Sequence, residues 1–168
     1  MIGFCYLEKE RFPEYADALF SVLHGNMNAI APTGQSREAD FACWSQAMGE
    51  QLKSESRSVI LIFYRPTQEL AGYFQYSVSD GVFFMEDIQF KPEFQGKHNI
   101  FRELYSFVFE HLEDFSVVRA NASKRNTKSM GVLRHLGLVS VGENKTGRSN
   151  CFLGTKEDLM RWYTGGRR

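Results

Sequence analysis

Two adjacent carboxylates, Glu86 and Asp87, interrupt the otherwise apolar run Val82-Phe83-Phe84-Met85-Glu86-Asp87-Ile88-Gln89-Phe90. The rest of the run is apolar at both parities, as a strand inside a sheet is. Neighbouring side chains on a strand point to opposite faces, so the pair should divide between the two sides. An unpaired buried carboxylate is costly, so a group carried into a half-enclosed region is paired, shifted in pKa or open to a cleft. The chemistry within reach is proton abstraction from a protonated substrate, or anchoring of a cationic one. The plainer alternative is a strand bend that lets both reach water, or a structural pair with an arginine.

A second feature follows at once. The loop Pro92 to His98 leads straight into a helical pattern. Such a junction offers backbone N–H groups and the positive end of the helix dipole, which suits an anion. Gly96 permits close backbone approach and Lys97 adds charge. A routine strand-to-helix connection capped by Asn99 would look the same. The third feature is basic: Arg119, Lys124, Arg125, Lys128 and Arg134 lie in a stretch, Phe115 to Gly142, that holds no Asp or Glu. It reads as a phosphate-binding patch or as a solvated face. His24, His98, His111 and His135 lack metal-ligand spacing, and Cys5, Cys43 and Cys151 form no CxxC pair. No metal site and no disulfide framework is expected, and a reducing, cytoplasmic setting fits.

These residues need a scaffold, and the periodicity supplies one. Ile2 to Leu7 reads as a strand. Phe12 to Leu23 reads as a helix, with Pro13 in its first turn and His24-Gly25-Asn26 as its stop. Ser36 caps a second helix reaching about Lys53, with Phe41, Trp44, Met48 and Leu52 on one face. Strands are expected at Ser58 to Tyr64, Leu70 to Val78 and Val82 to Phe90. A helix from Asn99 to Leu112, a strand from Ser116 to Ala122 and a short helix from Thr127 to His135 follow. Leu138 to Val141 and Ser149 to Leu153 form the last strands. Thr155 with Asp158 resembles a capping box for a terminal helix to about Tyr163. The order β-α-α-β-β-β-α-β-α-β-β, plus the C-terminal helix, implies an α/β fold with a mixed sheet and helices on its faces.

Size and charge agree. The chain has 168 residues, 43% hydrophobic and 24% charged, with fifteen Phe and seven Tyr. That suits one domain, taken as 1–163, with 164–168 a frayed tail. Twenty basic residues balance twenty acidic ones. A nucleic-acid coat usually carries a basic excess, so that partner is not expected. No apolar run approaches a membrane span; the longest, Val59 to Tyr64, is strand-sized. The N-terminus does not read as a signal peptide.

Strand, loop, helix, strand, Asn, short helix and Leu-Gly-Leu together resemble the GNAT family of acyl-CoA N-acyltransferases over nearly the whole chain. Two stretches carry the resemblance. Ile88-Gln89-Phe90-Lys91-Pro92-Glu93-Phe94-Gln95-Gly96-Lys97 is similar to the family's central strand and pyrophosphate loop. Asn126-Thr127-Lys128-Ser129-Met130-Gly131-Val132-Leu133-Arg134-His135-Leu136-Gly137-Leu138 is similar to its later motif. The resemblance implies transfer of an acetyl group from acetyl-CoA, as co-substrate, to an amine. Pantetheine would lie along Ile88, Gln89 and Phe90. The pyrophosphate would meet the amides of Gln95, Gly96, Lys97, His98, Asn99 and Ile100. Asn126 would meet the pantetheine, and Lys124, Arg125 or Lys128 would approach the terminal phosphate. The Met-Glu-Asp-Ile-Gln-Phe run also resembles polyamine and small-amine acetyltransferases. By that likeness Glu86 is the catalytic base and Asp87 binds substrate charge. A homodimer is common among similar proteins.

Two departures stand out. His98 and Ile100 occupy positions that are usually glycine, and a Cβ there disfavours close approach and positive φ. Leu133 stands where many members carry a general-acid Tyr, with Tyr105 and Tyr76 as candidate substitutes. These departures favour a rival reading: a non-catalytic module of the same fold that binds CoA or a partner in a regulatory role. The carboxylate pair favours the enzyme.

Overall fold

A computed structural model describes residues 1–165. Seven strands form one mixed sheet: β1 (Ile2–Tyr6), β2 (Arg57–Tyr64), β3 (Glu69–Ser79), β4 (Val82–Phe90), β5 (Val117–Ser123), β6 (Val139–Glu143) and β7 (Ser149–Thr155), in the order β1-β2-β3-β4-β5-β7-β6. Five α-helices join them: α1 (Phe12–Ile30), α2 (Arg37–Gln51), α3 (Ile100–His111), α4 (Thr127–His135) and α5 (Lys156–Gly165). The pairs β1–β2, β5–β7 and β6–β7 are antiparallel, and β4–β5 is parallel. The expected element order therefore holds.

Compactness divides the chain into two units. One is Met1–Gln75 with Asp87–Phe101; the other is Tyr76–Glu86 with the chain from Arg102 onward. The first is built on α1, α2 and the strands beside them. Phe12, Ala16, Leu19, Phe20 and Leu23 of α1 pack with Met48, Leu52, Val59, Leu61 and Tyr73, and Phe41 and Trp44 close over them. Burying a Leu or Phe of this kind is worth about 1.5–3 kcal/mol. Ser36 caps α2 as expected, accepting from the Ala39 amide at 3.1 Å.

Helix α1 is longer than its sequence suggests. It runs through His24-Gly25-Asn26, the expected stop, as far as Ile30. A glycine inside a helix costs about 1 kcal/mol against Ala, and tertiary contacts made by Asn26 offset it. Pro32 ends the helix instead: a residue before proline avoids the α region, and Ala31 has φ −154° and ψ 78°.

In the second unit, β5 alternates buried Val118, Ala120 and Ala122 with exposed Arg119 and Asn121. Phe152 of β7 and Leu104, Tyr105 and Val108 of α3 are also buried. The turn Leu136-Gly137-Leu138 closes α4 with two bonds, Gly137 N–H to Arg134 O and Leu138 N–H to Leu133 O, both 3.0 Å. This is a Schellman stop, with Gly137 at φ +97°. The expected capping box at α5 forms: Thr155 N–H donates to Asp158 Oδ2 at 2.9 Å, and Asp158 N–H donates to Thr155 Oγ1 at 3.1 Å. Helix α5 includes Thr164 and Gly165, the first residues of the expected frayed tail. The remainder of that tail, 166–168, lies outside the described residues. No helix among the described residues is long and apolar enough to cross a membrane.

Candidate active site

Strand β4 carries five of the predicted residues, Glu86 to Phe90. Its parallel ladder with β5 pairs Val82, Phe83, Phe84 and Met85 with Val117, Val118, Arg119 and Ala120. The strand then continues from Glu86 to Phe90. Near its end it passes unusually close to β3. A Cβ built on Gly72 would lie 2.1 Å from Gln89 O and 2.9 Å from the Phe90 ring. Only glycine leaves room for the β4 backbone there.

Asp87 is half-buried and held from both sides. Tyr73 Oη donates to its Oδ2 at 2.6 Å, and Gln89 Nε2 donates to its Oδ1 at 2.7 Å. Tyr73 is fully buried. Burial first, then the Asp87 charge and hydrogen bond, push its hydroxyl pKa well above the usual phenol value. It stays a proton donor to the carboxylate.

The chain of contacts continues outward from Gln89. Asn26 of α1 donates through Nδ2 to Gln89 Oε1 at 3.0 Å and to Phe90 O at 2.9 Å. Gln95 Nε2 donates to Phe90 O at 3.0 Å and approaches Asn26 Oδ1 at 3.5 Å. Asp87, Gln89, Phe90 and Gln95, chosen from sequence, are thus brought together in the first unit. Tyr73 and Asn26 complete the group and were not anticipated. Tyr73 fell inside the expected strand Leu70 to Val78 with no role of its own, and Asn26 in the expected helix stop.

The loop after β4 begins with a single 3₁₀ turn, Pro92–Phe94, anchored by buried Phe94. Gly96, His98 and Asn99 then take φ of +70°, +60° and +53°. Positive φ at the glycine-like position 98 is therefore kept, despite its Cβ. Left-handed backbone costs an ordinary L-residue about 1–2 kcal/mol, and Asn and His tolerate it better than most. The His98 ring lies 5.5 Å from the Tyr64 ring and 6.2 Å from the Phe94 ring, centroid to centroid. Such strained residues cluster at ligand clamps. Because Asn99 is left-handed, α3 begins at Ile100, one residue later than expected. Lys97, His98 and Asn99 are exposed, and Ile100 is buried.

Ile88 is half-buried on β4 in the first unit, and the remaining residues lie in the second. Glu86 is half-buried on β4. Asn126 is the N-cap of α4, its Oδ1 accepting from Ser129 N–H at 2.9 Å, so its side-chain carbonyl does structural work. Lys128 is exposed in the first turn of α4. Several charges of the basic stretch are engaged locally. Arg119 stacks over Phe84 at 4.8 Å, Arg134 lies over Phe152 at 5.9 Å, and Lys124 pairs with Glu143. Leu133 is half-buried. Neither candidate substitute for it lies at the surface. Tyr76 is buried against Phe83, and Tyr105 is buried with its hydroxyl donating to Met85 Sδ. Burial raises the Tyr105 pKa far above the usual phenol value. Among the described residues no group of three His, Cys, Asp or Glu could hold a metal.

No protein-family model and no curated protein matches the chain in sequence. Solved structures do match it in shape. An acetyltransferase from Thermus thermophilus is 13% identical, with a TM-score of 0.70, covering 92% of this chain and 97% of its own. Apo FdhC, described as a nucleotide-linked sugar GNAT, is 12% identical with a TM-score of 0.69, covering 99% and 93%. Spermidine N-acetyltransferase from Vibrio cholerae, solved with CoA and spermine, is 13% identical with a TM-score of 0.63, covering 95% and 98%. Strand order, central strand and loop-to-helix junction together with these likenesses show that the chain has the fold of the GNAT acetyltransferases.

Proposed function

We propose that the chain is a single-domain, acetyl-CoA-dependent N-acetyltransferase that acetylates a small primary amine by direct attack in a ternary complex. The observation that carries this reading is the loop after β4. Three left-handed residues, Gly96, His98 and Asn99, turn the backbone just before the N-terminus of the 12-residue helix α3. Backbone N–H groups and a positive dipole end are what a pyrophosphate needs. Pantetheine would follow β4 through the backbone of Ile88 and Gln89. Phe90 O already accepts from Asn26 and Gln95, so Phe90 would contribute its N–H rather than its carbonyl. Asn126 and Lys128 would serve the pantetheine and the terminal phosphate, and neighbouring proteins of this fold have been solved with CoA bound.

In the reaction, the amine nitrogen attacks the thioester carbonyl. A C–N bond forms, the C–S bond breaks, CoA leaves as a thiolate, and the extra proton left on the nitrogen passes to that thiolate or to water, giving the neutral amide. Glu86 takes the ammonium proton, directly or through one water, before attack. Asp87 neutralises the positive charge of the acceptor. Amides of β4 polarise the thioester oxygen. No tyrosine is needed on the leaving side, because a thiol pKa near about 8.5 makes the thiolate a tolerable leaving group.

One observation favours the regulatory alternative: Leu133 replaces the usual acid, and Tyr76 and Tyr105 are both buried. Calorimetry with acetyl-CoA, followed by a CoA-release assay across a panel of amines, separates the two. Binding with turnover on at least one amine is the expected result. Binding without turnover on any amine selects the regulatory module. No binding at millimolar acetyl-CoA overturns the enzyme reading.

A further inference from the structure

We propose that Asn26 is a positioning residue that couples the Asp87 carboxylate to the Gln95–Ile100 loop. This deepens the acetyltransferase reading and rests on it for its functional meaning. In that reading Asp87 serves the acceptor and the loop serves the cofactor.

The argument is one of donors and acceptors. An ionised Asp87 only accepts, so Gln89 must turn its Nε2 toward it, as it does at 2.7 Å. Gln89 Oε1 then faces α1 and demands a donor. Asn26 must therefore present Nδ2, whose two hydrogens reach Gln89 Oε1 at 3.0 Å and Phe90 O at 2.9 Å. Asn26 Oδ1 is left facing Gln95, whose Nε2 lies 3.5 Å from it and 3.0 Å from Phe90 O, the carbonyl that Asn26 also bonds. Each amide orientation dictates the next, from a carboxylate on β4 to the first residue of the loop. The far end is fixed by Tyr73, buried and donating to the other Asp87 oxygen. Half-buried amides in such a chain cannot rotate singly without leaving a polar group unpaired. A cation that draws on Asp87 thus alters the bond that orients Gln89, and the change reaches Gln95. By reciprocity, a ligand that orders the loop alters the acceptor end equally.

Hydrogen exchange on the unliganded full chain tests the coupling without reference to activity. Gln89→Met severs the chain while keeping the length of the side chain. Asn26→Asp keeps its shape and removes both donors. Each should speed exchange of the Gln95 and Lys97 amides, which donate to Pro92 O and Phe94 O, by about fivefold or more, the low end of measured couplings. The double variant should be no faster than the faster single. Unchanged exchange in Gln89→Met, or multiplicative effects in the double variant, overturns the proposal. Calorimetry with CoA, with and without saturating spermidine, supplies the second arm. The wild-type affinity should shift by about fivefold or more, and the shift should vanish in Gln89→Met. An unshifted wild-type affinity, with calorimetry showing spermidine bound, also overturns the coupling. A wild-type chain that binds no CoA counts against the acetyltransferase reading, while exchange still judges the coupling.

Discussion

Glu86 and Asp87 are neighbours with different surroundings. Asp87 is held by a buried phenol and a side-chain amide. Glu86 is half-buried on the same strand and is the residue assigned to proton removal. An alkylammonium with a pKa near about 10.4 has about one molecule in 2,500 unprotonated at pH 7, and about a quarter at pH 10. Glu86→Gln should therefore lower kcat/KM by about a hundredfold at neutral pH, the low end for general-base catalysis. The deficit should close toward pH 10, where the acceptor arrives deprotonated. A deficit that stays constant from pH 7 to pH 10 would argue against the base role.

At the scale of elements, two glycines decide whether the strands and helices fit. Gly72 lets the β4 backbone pass, since a Cβ there would meet Gln89 O at 2.1 Å. The clashing atom is backbone and leaves little room to relax, so Gly72→Ala should cost about 2–3 kcal/mol in urea unfolding. Gly137 is left-handed at φ +97°, and its Cβ would stand 3.1 Å from Asp158 O. Gly137→Ala adds that contact to the left-handed penalty and should cost about 1–3 kcal/mol. Gly25 is the control, because a Cβ there meets nothing within 4 Å and its φ is ordinary. Gly25→Ala in the middle of α1 should stabilise by up to about 1 kcal/mol. A destabilising Gly25→Ala would show that the extension of α1 is not held as described.

Across the whole molecule, acid stability depends on carboxylates whose folded pKa is depressed. Asp114 is lowered first by its hydrogen bond to Lys156, 2.7 Å away. Asp158 is lowered first by the Thr155 amide. A depressed carboxyl binds protons more readily in the unfolded chain, so its contribution is complete above the ordinary Asp range. It is lost as pH falls through the folded value. Asp158→Asn should lower Tm at pH 7, and the gap to wild type should narrow below about pH 4. A gap that persists unchanged in acid would assign the effect to packing of α5.

Much of this was legible in the sequence, because it depends on local chemistry. Alternation and helical period placed the seven strands and five α-helices, though not the end of α1 or the short 3₁₀ turns. Ser36, Thr155 with Asp158, and Leu-Gly-Leu marked their termini, since caps and stops are satisfied within a few residues. The adjacent carboxylates, the loop before α3 and the basic stretch were visible for the same reason. The tertiary structure decided what depends on residues far apart in the chain. Asn26 lies 63 positions from Gln89, and that contact holds α1 together through a segment whose local preference is to stop. Tyr73 became the donor to Asp87, a role no pattern on its own strand reveals. His98 kept a left-handed backbone that its Cβ disfavours, with its ring beside Tyr64 and Phe94. Local propensities are worth about 1 kcal/mol or less per residue, so a few long-range contacts suffice to override them.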